Sequence, residues 1–220
     1  VSGTAGSAKT VFACQFLAEG ILRAGEPGVF VTFEEPPNDL RENMASFGWP
    51  IATWEHQNQW RFVDGSVQAS DDEHVVGRYD LGPLLARIEH AVNSIGARRV
   101  SLDSLGAIFN RLRDGDVVRR ELLRVAVALK RMGVTSVLTA ERTAEYGEIS
   151  RHGVEEFVAD NVVILRNVLE DEKRRRTLEV LKYRGTSHQK GEFPFSVTPE
   201  RGVTVIPLSA MELKQRSSSL

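Results

Sequence analysis

Gly3-Thr4-Ala5-Gly6-Ser7-Ala8-Lys9-Thr10 stands at the head of the sequence, and an apolar pattern at Val11, Phe12, Phe16, Leu17, Ile21 and Leu22 follows at once. That spacing is helical and ends near Gly25. A small-residue loop, a lysine, a hydroxyl residue and an amphipathic helix in this order approximate G-x-x-x-x-G-K-[ST], with Ala8 in place of the second fixed glycine. In such a loop consecutive backbone N–H groups surround a phosphate and the helix N-terminus adds its positive end. Lys9 then reaches the outer phosphates and Thr10 offers a hydroxyl to Mg²⁺. The methyl of Ala8 is tolerable if its φ is negative and costly otherwise.

Working outward, Val29-Phe30-Val31-Thr32-Phe33 is β-branched and aromatic and stops at Glu34-Glu35-Pro36-Pro37. It reads as a buried strand ending in a sharp turn. Asn38 or Asp39 is placed to cap a short helix to about Phe47, and residues 60–63 read as another strand. An acidic loop, Asp71-Asp72-Glu73, precedes a helical period over 80–95. Arg99-Val100-Ser101-Leu102-Asp103 is a strand ending in a carboxylate; a helix over 118–132 and a strand over 134–139 follow. Strands alternating with helices of this length predict an α/β fold with a mainly parallel sheet covered on both faces. After residue 160 only strands are predicted, at 161–166, 177–183, 193–197 and 203–206. They form a C-terminal antiparallel β extension.

Only Val1 and Ser2 precede Gly3, so the strand that feeds the loop is expected to be trimmed away. Residues 1–209 read as one domain, and 210–220, ending Gln215-Arg216-Ser217-Ser218-Ser219-Leu220, read as a linker-like tail toward a further domain.

Composition excludes several classes. With 220 residues, 41% hydrophobic, 28 Lys+Arg and 30 Asp+Glu, the chain is a well-mixed globular domain of net charge −2. It is large enough to bury a core without disulfide or metal staples. No stretch approaches the ~18 apolar residues of a membrane span, and no secretory leader is visible, so a cytoplasmic location is expected. The single cysteine, Cys14, lies in the apolar helical pattern and reads as a buried structural thiol. Zinc-ligand spacing, G-x-S-x-G and H-E-x-x-H are all missing, which removes metalloproteases and serine hydrolases.

Charge is uneven. Residues 1–160 hold 17 Lys+Arg against 23 Asp+Glu, whereas residues 161–220 hold 11 against 7. The basic end needs an anionic partner, either nucleic acid or the nucleotide of a neighbouring subunit. Lys173-Arg174-Arg175-Arg176 follows Glu170-Asp171-Glu172 and reads as a solvated, charge-matched hairpin tip. Residues 142–157 carry Arg142 and Arg151 against Glu145, Glu148, Glu155 and Glu156, which disfavours a DNA track.

Three further signals carry chemistry. Asp103, at a strand end, suits a carboxylate that holds Mg²⁺ through water. Glu34 and Glu35 end the strand after the loop's helix, where a carboxylate aims water at the outermost phosphate; since successive strand side chains alternate, only one of the pair is aimed there. Lys182-Tyr183-Arg184-Gly185-Thr186-Ser187-His188 gathers two cations, two hydroxyls and a histidine, and suits a nucleotide held by another subunit.

Together, Gly3 to Thr10, Val31-Thr32-Phe33-Glu34-Glu35, the run Gly153-Val154-Glu155-Glu156-Phe157-Val158-Ala159-Asp160-Asn161-Val162-Val163-Ile164-Leu165, and Arg184-Gly185-Thr186-Ser187-His188 resemble the KaiC family of circadian clock ATPases. The similarity is closest to the family's N-terminal ATPase half. It implies a RecA-like P-loop fold, ATP with Mg²⁺ sandwiched between protomers of a homo-hexamer, and slow hydrolysis. By motif, Thr4, Ala5, Gly6, Ser7, Ala8, Lys9, Thr10, Val11 and Ser46 would contact ATP in the same chain. Lys182, Tyr183, Arg184, Thr186, His188 and Thr198 would do so across the interface. Glu34 and Glu35, with Lys9, match the catalytic set, and Thr10 and Asp103 the metal set. The resemblance further implies a KaiB-like partner and no self-phosphorylation, which belongs to the family's second domain. The competing readings are a RecA/RadA-type DNA-dependent ATPase and a nucleotide-binding scaffold without turnover.

Overall fold

A computed structural model describes residues 1–66, 81–104, 106–107, 115–149 and 158–206. The acidic loop at Asp71-Asp72-Glu73, Asp80 at the expected start of a helix, residues 153–157 of the motif run, Arg151 and the tail 210–220 lie outside the described residues.

The elements run β1 (Ser2–Gly3), α1 (Lys9–Ala24), β2 (Gly28–Thr32), α2 (Pro37–Ala45), α3 (Ile51–His56), β3 (Trp60–Asp64), α4 (Gly82–Ile95), β4 (Arg99–Asp103) and α5 (Gly115–Arg131). After them come β5 (Thr135–Leu138), β6 (Ala140–Glu141), β7 (Asn161–Glu170), β8 (Lys173–Tyr183), β9 (Glu192–Thr198) and β10 (Gly202–Val205). The expected alternation is present, and the RecA-like arrangement of a mostly parallel sheet with an antiparallel extension follows from the pairing. Strands β3-β2-β4-β5 are all parallel, and β10-β9-β8-β7-β1-β6 form a mixed sheet. The segment 135–141 joins the two: Thr139 N–H donates to Leu102 O at 3.0 Å and Ala140 N–H to Val1 O at 2.9 Å.

Strand β2 explains the layering. All five of its residues are buried, as expected of a strand with helices on both faces. Val29, Val31 and Phe33 pack with Val100, Leu102, Ile88, Leu122 and Leu129 on the α4/α5 side. Phe30 turns the other way into a layer with Leu17 of α1, Leu40 of α2 and the tryptophans 54 and 60. There Trp60 stacks between Phe30 and Trp54, with ring centroids 6.0 and 6.2 Å away. Cys14 is fully buried in this layer, and burial pushes its thiol pKa well up, so it is a packing residue.

Several boundaries differ from the sequence reading. The strand before the phosphate loop is present as a stub, Ser2–Gly3, wedged between β7 and β6 in parallel register. Neither Asn38 nor Asp39 caps α2. Pro37 opens that helix, because a proline needs no N–H acceptor in a first turn, and both residues fall inside it. The short helix α3 and the two-residue β6 lack a periodicity long enough to read. Finally, the β7–β8 tip is Asp171-Glu172, both in the left-handed region at φ 47° and 63°. Two such residues close a tight hairpin, so pairing resumes at Glu170↔Lys173 and the basic run 173–176 lies within β8 rather than at its tip. It remains solvated, with Arg175 paired to Glu170 at 3.1 Å.

Candidate nucleotide site

The loop 3–10 springs from the C-terminal end of β1, and its shape is dictated by close packing. A Cβ on Gly3 would lie 2.7 Å from Leu165 O and 2.3 Å from Ser7 Oγ, so only glycine fits between β7 and the returning loop. Ser7, fully buried, donates its hydroxyl to Thr4 O at 2.8 Å. Gly6 and Ala8 both adopt positive φ, 73° and 72°. Ala8 is therefore in the costly conformation, left-handed with a Cβ.

Helix α1 begins at Lys9 with no side-chain cap and no acidic residue in its first turn. Its leading N–H groups are thus left for an anion. Lys9 Nζ folds back to donate to Gly3 O at 3.0 Å and Thr4 O at 2.9 Å. Burial lowers its pKa, opposed by the fields of Glu141, Asp103, Glu34 and Glu145. A partly buried ammonium amid open helix N–H groups fits a triphosphate.

Strand β4 delivers Asp103 opposite Lys9 and Thr10. Thr10 Oγ1 donates to Asp103 Oδ2 at 2.7 Å and Thr139 Oγ1 to Oδ1 at 2.5 Å. Burial raises the pKa of Asp103, partly offset by these hydroxyls and Lys9. One hydroxyl and one carboxylate fit Mg²⁺, which keeps several waters and takes its remaining ligands from phosphates.

Glu34 and Glu35 part company at the end of β2. Glu34 Oε1 accepts from Ser104 Oγ at 2.7 Å, and its charge acts on both Lys9 and Asp103. Glu35 turns to α2, where Asn43 Nδ2 donates to it, while its carbonyl accepts from Thr32 Oγ1. Val11 lies in the first turn of α1, half-buried, and Ala5 is exposed at the loop's crest.

Ser46 is exposed at the end of α2, and its carbonyl accepts from Glu200 N at 3.3 Å. That contact brings the β9–β10 turn, which begins at Thr198, to Ser46 of the same chain. Thr198 and Lys182 stand apart on the sheet. Strand β9 runs antiparallel to β8, with Thr177 opposite Pro194, so its last residue lies beyond the N-terminal half of β8, away from Lys182.

The cationic cluster lies at the other end of β8. Arg176, in that strand, donates to Gly6 O at 3.3 Å and marks where the phosphate loop sits. Six residues later, roughly 20 Å along an extended strand, come Lys182, Tyr183 and Arg184, with Thr186 and His188 in the following loop. Lys182 Nζ donates to Ala159 O at 2.8 Å and Arg184 Nη1 pairs with Asp160 at 2.9 Å.

Four contributors were not legible in sequence: Ser104, Thr139, Glu141 and Glu145. Each is a common polar residue that acquires meaning only once β6 and the end of β4 are laid beside β1.

A family model described as "ATPase: KaiC" matches residues 1–210. The chain belongs to the KaiC ATPase family. It is 65% identical over 220 residues to circadian clock protein KaiC3 of Synechocystis sp., covering 100% of this chain and 43% of that protein. It is 54% identical over 220 residues to the circadian clock oscillator protein KaiC of Synechococcus elongatus, covering 100% of this chain and 42% of that one. The chain thus spans less than half the length of the curated relatives it matches. As a KaiC-family ATPase domain it belongs to a nucleotide-binding P-loop family. Among the described residues no helix is long and apolar enough to cross a membrane.

Proposed function

We propose that this KaiC-family domain hydrolyses ATP slowly in a homo-hexameric ring, with each nucleotide completed by the neighbouring subunit. The observation that carries this reading is the distance between Arg184 and the chain's own phosphate loop. A cluster built for phosphate and ribose, yet about six strand residues from its own site, is useful only to a second copy.

In this reading Lys9 and the α1 N-terminus grip the outer phosphates, and Thr10 with Asp103 holds Mg²⁺, which supplies charge neutralisation when bound. Ser46 and Thr198 flank the base from the same chain. Glu34, held by Ser104, orients the attacking water. Lys182 and Arg184 of the neighbour stabilise charge on the transferring group, with Tyr183, Thr186 and His188 around the sugar. Hydrolysis then times a conformational change that presents the ring to a KaiB-like partner, and in this chain alone it proceeds without self-phosphorylation.

The test is subunit complementation. Lys9→Ala and Arg184→Ala should each release little phosphate from ATP, and mixing them should restore activity, because some interfaces then pair an intact loop with an intact cluster. Failure of the mixture, with both variants folded and assembled, removes the shared site. The left-handed Ala8 favours a second reading, in which ATP only cements the ring. Nucleotide-dependent assembly with no phosphate release over many hours would select it.

A further inference from the structure

Strand β1 ends at Gly3, where the phosphate loop leaves the sheet. Parallel pairing of β1 with β7 ends at Gly3↔Leu165, where the loop turns away. Two residues on, among the described residues the partly buried N–H of Asn167 has no strand acceptor on that side, and such a backbone donor needs one. Glu145 fills the place. Its Oε2 accepts from Asn167 N at 3.0 Å, while its Oε1 accepts from Thr4 Oγ1 at 2.6 Å. The backbone beneath it is pinned: Arg166 Nε donates to Glu145 O at 3.1 Å, and Arg142 donates to Gly147 O and Glu148 O at 3.2 and 3.0 Å. Both arginines are buried.

We infer that Glu145 is a positioning residue that clasps the phosphate loop through Thr4 and sets its selectivity among nucleotides by opposing phosphate charge. The inference rests on the nucleotide-site reading of the loop. A carboxylate on the second residue of a phosphate-binding loop is electrostatically adverse to the ligand, and in a partly buried site such charges interact far more strongly than in water. Each added phosphate therefore strains the clasp further, so the discrimination is greatest for the triphosphate and falls through the diphosphate to the monophosphate. The nucleotide-free loop is held in shape at the cost of affinity.

Glutamine is the informative substitution. Its carbonyl accepts from Asn167 N–H, and its NH₂ donates to Thr4 Oγ1, because a hydroxyl both donates and accepts. Glu145→Gln keeps both contacts and removes only the charge. With Mg²⁺ present, its Kd for ATP should fall about tenfold, equivalent to about 1.4 kcal/mol, with a smaller change for ADP and little for AMP. Equal changes for the three nucleotides, or no change, would overturn the inference. A wild-type chain that binds no ATP would instead remove the nucleotide-site reading. Should Glu145→Gln not fold, hydrogen exchange in the wild type carries the test: ATP should speed exchange of the Asn167 amide more than AMP does, and unchanged protection with ATP bound would overturn the inference.

Discussion

Thr10 Oγ1 lies 2.7 Å from Asp103 Oδ2, which ties the first turn of α1 to the end of β4 across a gap of 93 residues. With Thr139 on the other oxygen, each carboxylate oxygen of Asp103 accepts from a hydroxyl, yet burial still raises its pKa. A carboxyl whose folded pKa exceeds its unfolded value costs stability once ionised. The cost sets in as pH rises past the unfolded pKa, is complete above the folded one, and disappears again on acidification.

Asp103→Asn should therefore stabilise the nucleotide-free, Mg²⁺-free chain at pH 7, since the amide can still donate to Thr10 and accept from Thr139. Urea unfolding should show a higher midpoint than wild type, with the gap narrowing as pH is lowered. The same substitution should reduce phosphate release about 100-fold or more, because a metal site loses its charge.

Ala8→Gly should also stabilise the chain. Ala8 holds φ 72° and ψ 30°, a conformation that costs an L-residue about 1–2 kcal/mol and glycine almost nothing. The looser unfolded state of glycine takes back about 0.4–1 kcal/mol. The remainder, about 0.8 kcal/mol at mid-range, corresponds to a rise in Tm of about 2–3 °C for a chain this size. Calorimetry reads it directly, and an unchanged or lower Tm would mean that the loop relaxes around alanine.

These two sites show what a sequence exposes. The loop was legible because its chemistry is local: phosphate binding by backbone N–H groups needs small residues, lysine and a hydroxyl in series. The layered fold was legible because β2 carries the unbroken apolar run Val29-Phe30-Val31 and helices with a 3.6 period flank it. Asp103 could be read from its place at a strand end. Whether Ala8 was strained could not be read, since φ at that position is set by Gly3 packing on Leu165 and by the return of the loop into α1. Which of Glu34 and Glu35 faces the site depends on Ser104 and Asn43, residues brought in from β4 and α2. That Thr198 lies beside Ser46 of its own chain could not be read either, because a motif says nothing about which end of an antiparallel pair a residue occupies.

The separation of the acidic pair is testable. Glu34 reaches Ser104 and acts on Lys9 and Asp103, whereas Glu35 is engaged by Asn43. A carboxylate that orients water contributes about 10²–10⁴-fold, so Glu34→Gln should lower phosphate release by at least about 100-fold. Glu35→Gln, which keeps an acceptor for Asn43, should lower it by less than about tenfold. Equal losses would show that both carboxylates act on the water.

Arg184 provides the last separation of stability from activity. Within its own chain it pairs with Asp160, which also holds Lys130 at 3.0 Å, and the Lys130 bond leads the causes that lower the Asp160 pKa. Arg184 and Asp160 are both well exposed, at 60% and 43% of their side chains, so solvent screens the pair and its loss should barely register in unfolding. Arg184→Ala should accordingly melt within about 1 °C of wild type. If its guanidinium serves a neighbour's phosphate, the same substitution removes a transition-state contact of the kind that contributes about 10³–10⁵-fold, and phosphate release should collapse. Asp160→Asn tests the other partner: freeing Arg184 from an exposed ion pair should change turnover by less than about fivefold, in keeping with the small worth of such pairs. A variant of Arg184 that loses stability and keeps its activity would make the cluster a structural hairpin end and place the completing cation elsewhere.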